Sequence, residues 1–247
     1  MNQYDNKDFF DEYAKMPRST DGLKSAGEWQ QLQQLFPELN GKRVLDLGCG
    51  YGWHCAYAAK HGAKEVIGID SSERMLSAAR KRNPDSHVNY ELCSLENYRY
   101  PCSKFDLVIS NLALHYVEDL DSAYKMVWQT LVPGGIFLFN IEHPTFTAGV
   151  GQDWIYDKDG NPEHWPVDNY FYPGKRKTRF LGRDVTKQHH TLTQILMGLI
   201  HTGFQLEAVI EAEPPRDMLS IPGMKDELRR PMMLLVRARK SNVFDIC

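Results

Sequence analysis

Short apolar runs alternate with amphipathic stretches across residues 43–141. RVLDL (43–47), EVIGI (65–69), VNYEL (88–92), FDLVIS (105–110) and IFLFNI (136–141) have the length and residue types of strands. The spacing between them predicts three helices. The first covers 53–61, with Gly62 placed to end it in a left-handed cap; the second runs from a Ser71 or Ser72 cap to Arg82 and stops at Asn83-Pro84. The third covers 120–131, before a turn at Pro133-Gly134-Gly135. Strands joined through helices imply a parallel sheet with right-handed crossovers. A helix at 191–202 capped by Gly203, a strand at 204–211 and a final strand MMLLVRA (232–238) resume the pattern. Two stretches fall outside it. Residues 1–40 read as a helical arm. Residues 143–190 carry many aromatics (among them Phe146, Trp154, Tyr156, Trp165, Tyr170, Phe171 and Tyr172) without a clear period, and so long an irregular stretch predicts a lid or insert.

Composition narrows the class only a little. The chain has 247 residues, 42% hydrophobic and 25% charged, which suits one soluble α/β domain. A formal net charge of −3 provides no overall basic field for nucleic acid or an anionic membrane. No apolar run approaches the roughly 18 residues of a membrane span, and MNQYDNKDFFDEYAK lacks the basic start and apolar core of a signal peptide. Cys49, Cys55, Cys93, Cys102 and Cys247 form no CxxC pair, so the expectation is reduced thiols in a cytoplasmic protein with no metal.

The chemistry concentrates in Asp46-Leu47-Gly48-Cys49-Gly50-Tyr51-Gly52, where a strand turns into a helix. Three glycines let a ligand lie against bare main chain. The spacing is GxGxG, and Asp46 stands just ahead of it. That carboxylate would repel a pyrophosphate yet suits an ammonium group, directly or through water, which disfavours a nicotinamide oxidoreductase. Asp70 ends the second strand, eighteen residues past Gly52, where an acid accepts hydrogen bonds from both ribose hydroxyls. The ligand these groups describe is a nucleoside joined to an amino acid.

VLDLGCGYG, IGIDSS, FDLVISNLALHYV and LVPGGIFLF, in that order, resemble the class I S-adenosylmethionine (SAM)-dependent methyltransferases, most of all their small-molecule branch. The resemblance covers about two fifths of the chain, residues 40–142. It implies a Rossmann-like doubly wound sheet of order 3-2-1-4-5-7-6 with the last strand antiparallel. In one domain, 1–40 would be the arm, 41–142 the SAM-binding core, 143–190 an acceptor-side insert and 191–247 the rest of the sheet. It further implies SAM as cofactor, with S-adenosylhomocysteine as product. Asp46, Gly48, Gly50 and Gly52 would hold its methionine part and Asp70 its ribose, with Ser71 or Arg74 near the adenine. The family's frequent acid after the third strand is replaced here by Ser94, followed by Leu95 and Glu96. Leu95 main chain or Glu96 would then meet the adenine, while Asn111 and Leu112 would lie near the sulfonium. From the arm, Tyr13, Arg18 and Trp29 would fold over SAM, Arg18 near its carboxylate.

The acceptor side is expected to be a small organic molecule methylated on O, N or C. His143 is the preferred general base and His115 the second, both at the carboxyl edge of the sheet. Glu142 would bind a cationic acceptor or fix a histidine tautomer. Trp154, Tyr156, Trp165 and Tyr170 would wall a partly apolar acceptor pocket, with Asp168, Lys187, His189 and His190 as polar handles. A tRNA- or protein-directed enzyme and a SAM-binding protein without catalysis remain as alternatives. Against a nucleic-acid acceptor stand the acidic balance and Asn111-Leu112-Ala113-Leu114, where an Asn-Pro-Pro-Tyr type motif would fall.

Overall fold

The computed structural model describes residues 3–149 and 151–241. The arm folds as α1 (Lys7–Ala14), α2 (Pro17–Thr20) and α3 (Trp29–Gln34). The core then runs β1 (Arg43–Leu47), α4 (Trp53–Lys60), β2 (Glu65–Asp70), α5 (Glu73–Arg82), β3 (Val88–Leu92), β4 (Phe105–Asn111), α6 (Leu120–Thr130) and β5 (Leu131–Glu142). The insert holds α7 (Pro144–Ala148) and two hairpins, β6 (Ile155–Tyr156) with β7 (Pro162–His164) and β8 (Gly174–Phe180) with β9 (Arg183–His189). The chain closes through α8 (Leu192–Thr202), β10 (Phe204–Glu211) and β11 (Met233–Lys240).

The seven-stranded sheet has the order β3-β2-β1-β4-β5-β11-β10, and β11 runs antiparallel to both of its neighbours. Leaving aside the four insert strands, that is the expected order. Each face is buried. Leu47, Ile69, Phe137 and Phe139 pack with α6 and α8 residues such as Tyr124 and Leu199, while Val66, Leu107 and Leu138 pack with Leu32, Ala58 and Leu76 on the other side. Strands so enclosed read as near-continuous apolar runs, which is why the sequence showed them plainly.

Caps explain the helix ends. Ser72 Oγ accepts from Met75 N at 3.2 Å, and Thr191 forms a capping box with Gln194 before α8. Gly203 ends α8 at φ 103°. Two expectations need correction. Pro133-Gly134-Gly135 is not a turn ahead of the strand but a bulge inside β5, because pairing jumps from Phe105↔Leu131 to Leu107↔Ile136. Nor is the insert irregular throughout, since β8 and β9 pair over seven registered positions around Leu181 (φ 50°) and Gly182 (φ 74°). Consecutive positive φ values match the twist of a tight hairpin. Cys49, Cys55 and Cys93 carry free thiols. Cys102 is disulfide-bonded, which departs from the reduced-thiol expectation, and Cys247 lies outside the described residues. Among the described residues no helix is long and apolar enough to cross a membrane.

Candidate active site

A cavity of about 860 Å³ opens along the carboxyl edge of the sheet. One end of it is built by the turn from β1 to α4. Gly48 has φ 75°, and a Cβ there would lie 2.5 Å from the Ala113 Cβ. Gly50 has φ 52° and nothing within 4 Å of the equivalent point, so bare main chain faces the cavity. Gly52, with φ 73°, begins α4 against the Tyr90 hydroxyl and is absent from the cavity wall. Asp70 lies on the wall. Its Oδ2 accepts from Gly50 N at 2.9 Å and its Oδ1 from Ser72 N at 2.8 Å, so it also fixes the loop. Asp46 is buried behind the wall, with Cys55 Sγ donating to Oδ2 at 3.3 Å and Oδ1 left without a partner. Burial pushes its carboxyl up to about 7.

Ser71, Ser94, Leu95, Glu96, Asn111 and Leu112 also line the cavity. Leu112 takes the left-handed conformation at φ 55°, sparsely populated for a side chain of its size. From the arm, Tyr4, Tyr13 and Arg18 reach the wall. One Arg18 guanidinium nitrogen lies 2.8 and 3.0 Å from the two oxygens of buried Glu28. Trp29 instead packs on Phe36, His54 and Tyr57, and Arg74 holds the Asp5 backbone at 2.8 Å; neither lines the cavity.

The other end centres on a buried ionic cluster. Lys187 Nζ lies 2.5 Å from Glu142 Oε1, and Gln152 bridges the pair, donating to Glu142 at 3.4 Å and accepting from Lys187 at 3.3 Å. His115 Nε2 stands 4.0 Å from the same carboxylate oxygen, while its Nδ1 is buried without a partner. Burial would raise the Glu142 pKa, but His115 and Lys187 together hold it below the ordinary carboxylate value. Phe146, Phe180, Thr178 and Thr186 flank the cluster on the wall.

The other expected acceptor residues lie elsewhere. His143 Nδ1 accepts from Thr145 N at 3.0 Å, capping α7, and its Nε2 stands 3.0 Å from Glu211 Oε1. It does not line the cavity. Nor do Trp154, Tyr156, Trp165 and Tyr170. Trp165 stacks on Phe146 and meets Trp154 edge-on, with the Arg230 guanidinium over all three rings. Tyr156 is exposed and bonded to Asp153, while the Tyr170 hydroxyl accepts from Leu192 N. His189 is fixed between Thr147 and the Tyr170 carbonyl, and His190 Nε2 lies 2.9 Å from the Val117 carbonyl. Asp168 is exposed on its loop. The sequence reading named Lys187 but missed Tyr4, Gln152 and the other wall residues of the hairpin, Thr178, Arg179, Phe180, Asp184 and Thr186; Leu181-Gly182 between two polar runs was the available signal for the turn.

Burial makes the fold sensitive to acid. His115 is held down to about 4 by burial, with Lys187 adding to this and Glu142 opposing it; His54 falls to about 3 through burial and then Arg18. Unfolded, each titrates near 6.5. Between those limits the unfolded chain binds more protons, so stability is full above about pH 6.5 and declines as pH falls. The decline is up to about 1.4 kcal/mol per pH unit for each histidine. The buried Asp46 carboxyl, raised to about 7, partly offsets the two histidines over the same range; urea unfolding between pH 7.5 and 5 should show the remaining decline, and H54Q should reduce it.

Comparison with known proteins matches this arrangement. A family model described as a methyltransferase domain fits residues 45–139. The chain is 31% identical over 244 residues to an uncharacterized protein of Haemophilus influenzae, covering 96% of each. The solved structure of a candidate SAM-dependent methyltransferase from Listeria monocytogenes superposes with TM-score 0.85 at 49% identity, covering 89% of this chain and 99% of that one. A SAM-dependent methyltransferase from Mesorhizobium loti gives TM-score 0.82 at 44% identity, covering 89% and 100%. The chain belongs to the class I SAM-dependent methyltransferases. It is an enzyme of that class, and SAM is its cofactor. The trans-aconitate 2-methyltransferase of Variovorax paradoxus aligns over 121 residues at 33% identity, so the chain spans about half the length of that relative.

Proposed function

We propose that the enzyme methylates a small organic acceptor, held between the hairpin β8–β9 and the His115–Glu142–Lys187 cluster, and that His115 takes the acceptor's proton. One observation carries this reading: a buried imidazole on the cavity wall has a free Nδ1 while its other nitrogen faces a carboxylate. With Nε2–H directed at Glu142, Nδ1 is the proton-accepting atom, and Glu142 stabilises the imidazolium as it forms. His143, the first choice from sequence, is instead occupied as a helix cap.

The cofactor supplies an electrophilic methyl group, so the protein's part is alignment, exclusion of water and removal of a proton. Gly48 and Gly50 give the methionine part a bare backbone to lie on, and Asp70 takes the ribose hydroxyls. The unpartnered Asp46 Oδ1, two residues ahead of Gly48, would accept from the cofactor's ammonium group directly or through water. Leu95 and Glu96 border the adenine. D70A is expected to weaken SAM binding by about 1.5–3 kcal/mol, because it removes the ribose acceptor and releases Gly50 together. Calorimetry with native circular dichroism checks this; an unchanged dissociation constant would show the ribose is held elsewhere.

The decisive experiment for the function is release of S-adenosylhomocysteine from SAM across a panel of small metabolites, run beside bulk tRNA and protein substrates. Turnover confined to a metabolite supports the reading. Turnover confined to a macromolecule refutes it.

A further inference from the structure

Three lysine or arginine side chains reach the cavity wall, and two are already neutralised: Arg18 by Glu28 and Lys187 by Glu142. The third is Arg179. Among the described residues it forms no ion pair, although Asp184 stands opposite it in the β8–β9 register. It is exposed at the mouth, with Thr178 and Thr186 on the same wall. Its surroundings are basic. Residues 174–189 hold six cations against one carboxylate, Asp184, in a chain of net charge −3; Lys175, Arg183 and Lys187 pair with Glu118, Asp8 and Glu142, which leaves Arg176, Lys177 and Arg179 without a carboxylate partner among the described residues. Such a field concentrates anions at a cavity mouth, and a free guanidinium pairs with a carboxylate or phosphate through two parallel hydrogen bonds.

Resting on the small-molecule reading above, we propose that the acceptor is an anion, its carboxylate or phosphate held by Arg179 while its nucleophilic atom reaches past the Lys187–Glu142 pair to His115. A small anion fits better than a polyanion, because the hairpin is fastened to α1 across the opening. Arg183 pairs with Asp8 at 2.7 Å, and Phe180 meets Phe9 edge-on at 6.0 Å.

The S-adenosylhomocysteine complex of the full chain is to be titrated with succinate and with inorganic phosphate. Wild type should bind at least one, and R179Q should bind it at least tenfold more weakly with its S-adenosylhomocysteine affinity unchanged. Which anion binds tells carboxylate from phosphate. Binding of neither, or equal binding by R179Q, overturns the proposal. In the turnover assay each acid is paired with its amide, and each phosphate with its dephosphorylated form. Only the anionic member should be methylated, with R179Q raising KM at least tenfold and leaving kcat within threefold. A neutral acceptor methylated as fast as its anionic counterpart overturns the anion proposal and upholds the small-molecule function. Anion binding without turnover of any acceptor does the reverse. Binding of bulk tRNA more tightly than either anion, lost in R179Q, overturns it in favour of a polyanionic partner.

Discussion

Replacing Lys187 by methionine leaves the Glu142 carboxylate buried without its cation and is expected to cost about 3–5 kcal/mol of stability at neutral pH. Both side chains are within 8% of full burial, so solvent does little to screen the loss. The Lys187 ammonium is also set over the Phe146 and Phe180 rings at 5.9 and 5.7 Å. Methionine keeps most of that packing, and the measured loss then reports charge. Because Glu142 is held below the ordinary carboxylate value, its contribution in the wild type is present above about pH 4.3 and is lost as pH falls through its lower folded value. In K187M burial acts on Glu142 without the ammonium to oppose it, so the carboxyl takes up a proton at a higher pH than in the wild type and the penalty should shrink from pH 7.5 to pH 5. Urea unfolding at pH 7.5 and pH 5 measures it. The double variant K187M/E142Q should recover most of the loss, since a buried pair removed together costs far less than one broken in half. If the double variant is as unstable as K187M, packing and not charge is what Lys187 provides.

H115Q is expected to lower kcat about 10²–10⁴-fold, the usual contribution of a positioned general base. The glutamine occupies similar space, so the fold should persist. SAM affinity should stay within threefold, because His115 lies at the opposite end of the cavity from Asp70 and the glycine loop. H143Q serves as the comparison. It should cost stability through the lost α7 cap, about 1 kcal/mol, with kcat little changed. A large kcat loss in H143Q beside a small one in H115Q would return the base to the residue the sequence favoured.

Those two histidines show where sequence reading stopped. Both follow a strand at the carboxyl edge, and nothing local separates them. The distinction comes from partners far along the chain. His143 meets Glu211 on β10, and His115 meets a carboxylate that Lys187 on β9 neutralises. The insert aromatics failed as acceptor residues for the same reason. Trp154 and Trp165 are gathered beneath Arg230, some 65 residues beyond the nearer of the two, into a satellite cluster. Asp70, Gly48 and Gly50 do line the cavity, because their placement depends only on a strand running straight into a turn.

The sequence by itself determined the sheet, the glycine loop, the positions of Asp46 and Asp70, and the family. Each is encoded over a few neighbouring residues, by apolar period, by capping groups and by positive φ at glycine. Tertiary structure alone decided which polar groups face the acceptor. Burying Glu142, Lys187 and His115 together needs the ends of β4, β5 and β9 to converge, and their mutual charge and desolvation exist only after those distant segments have packed.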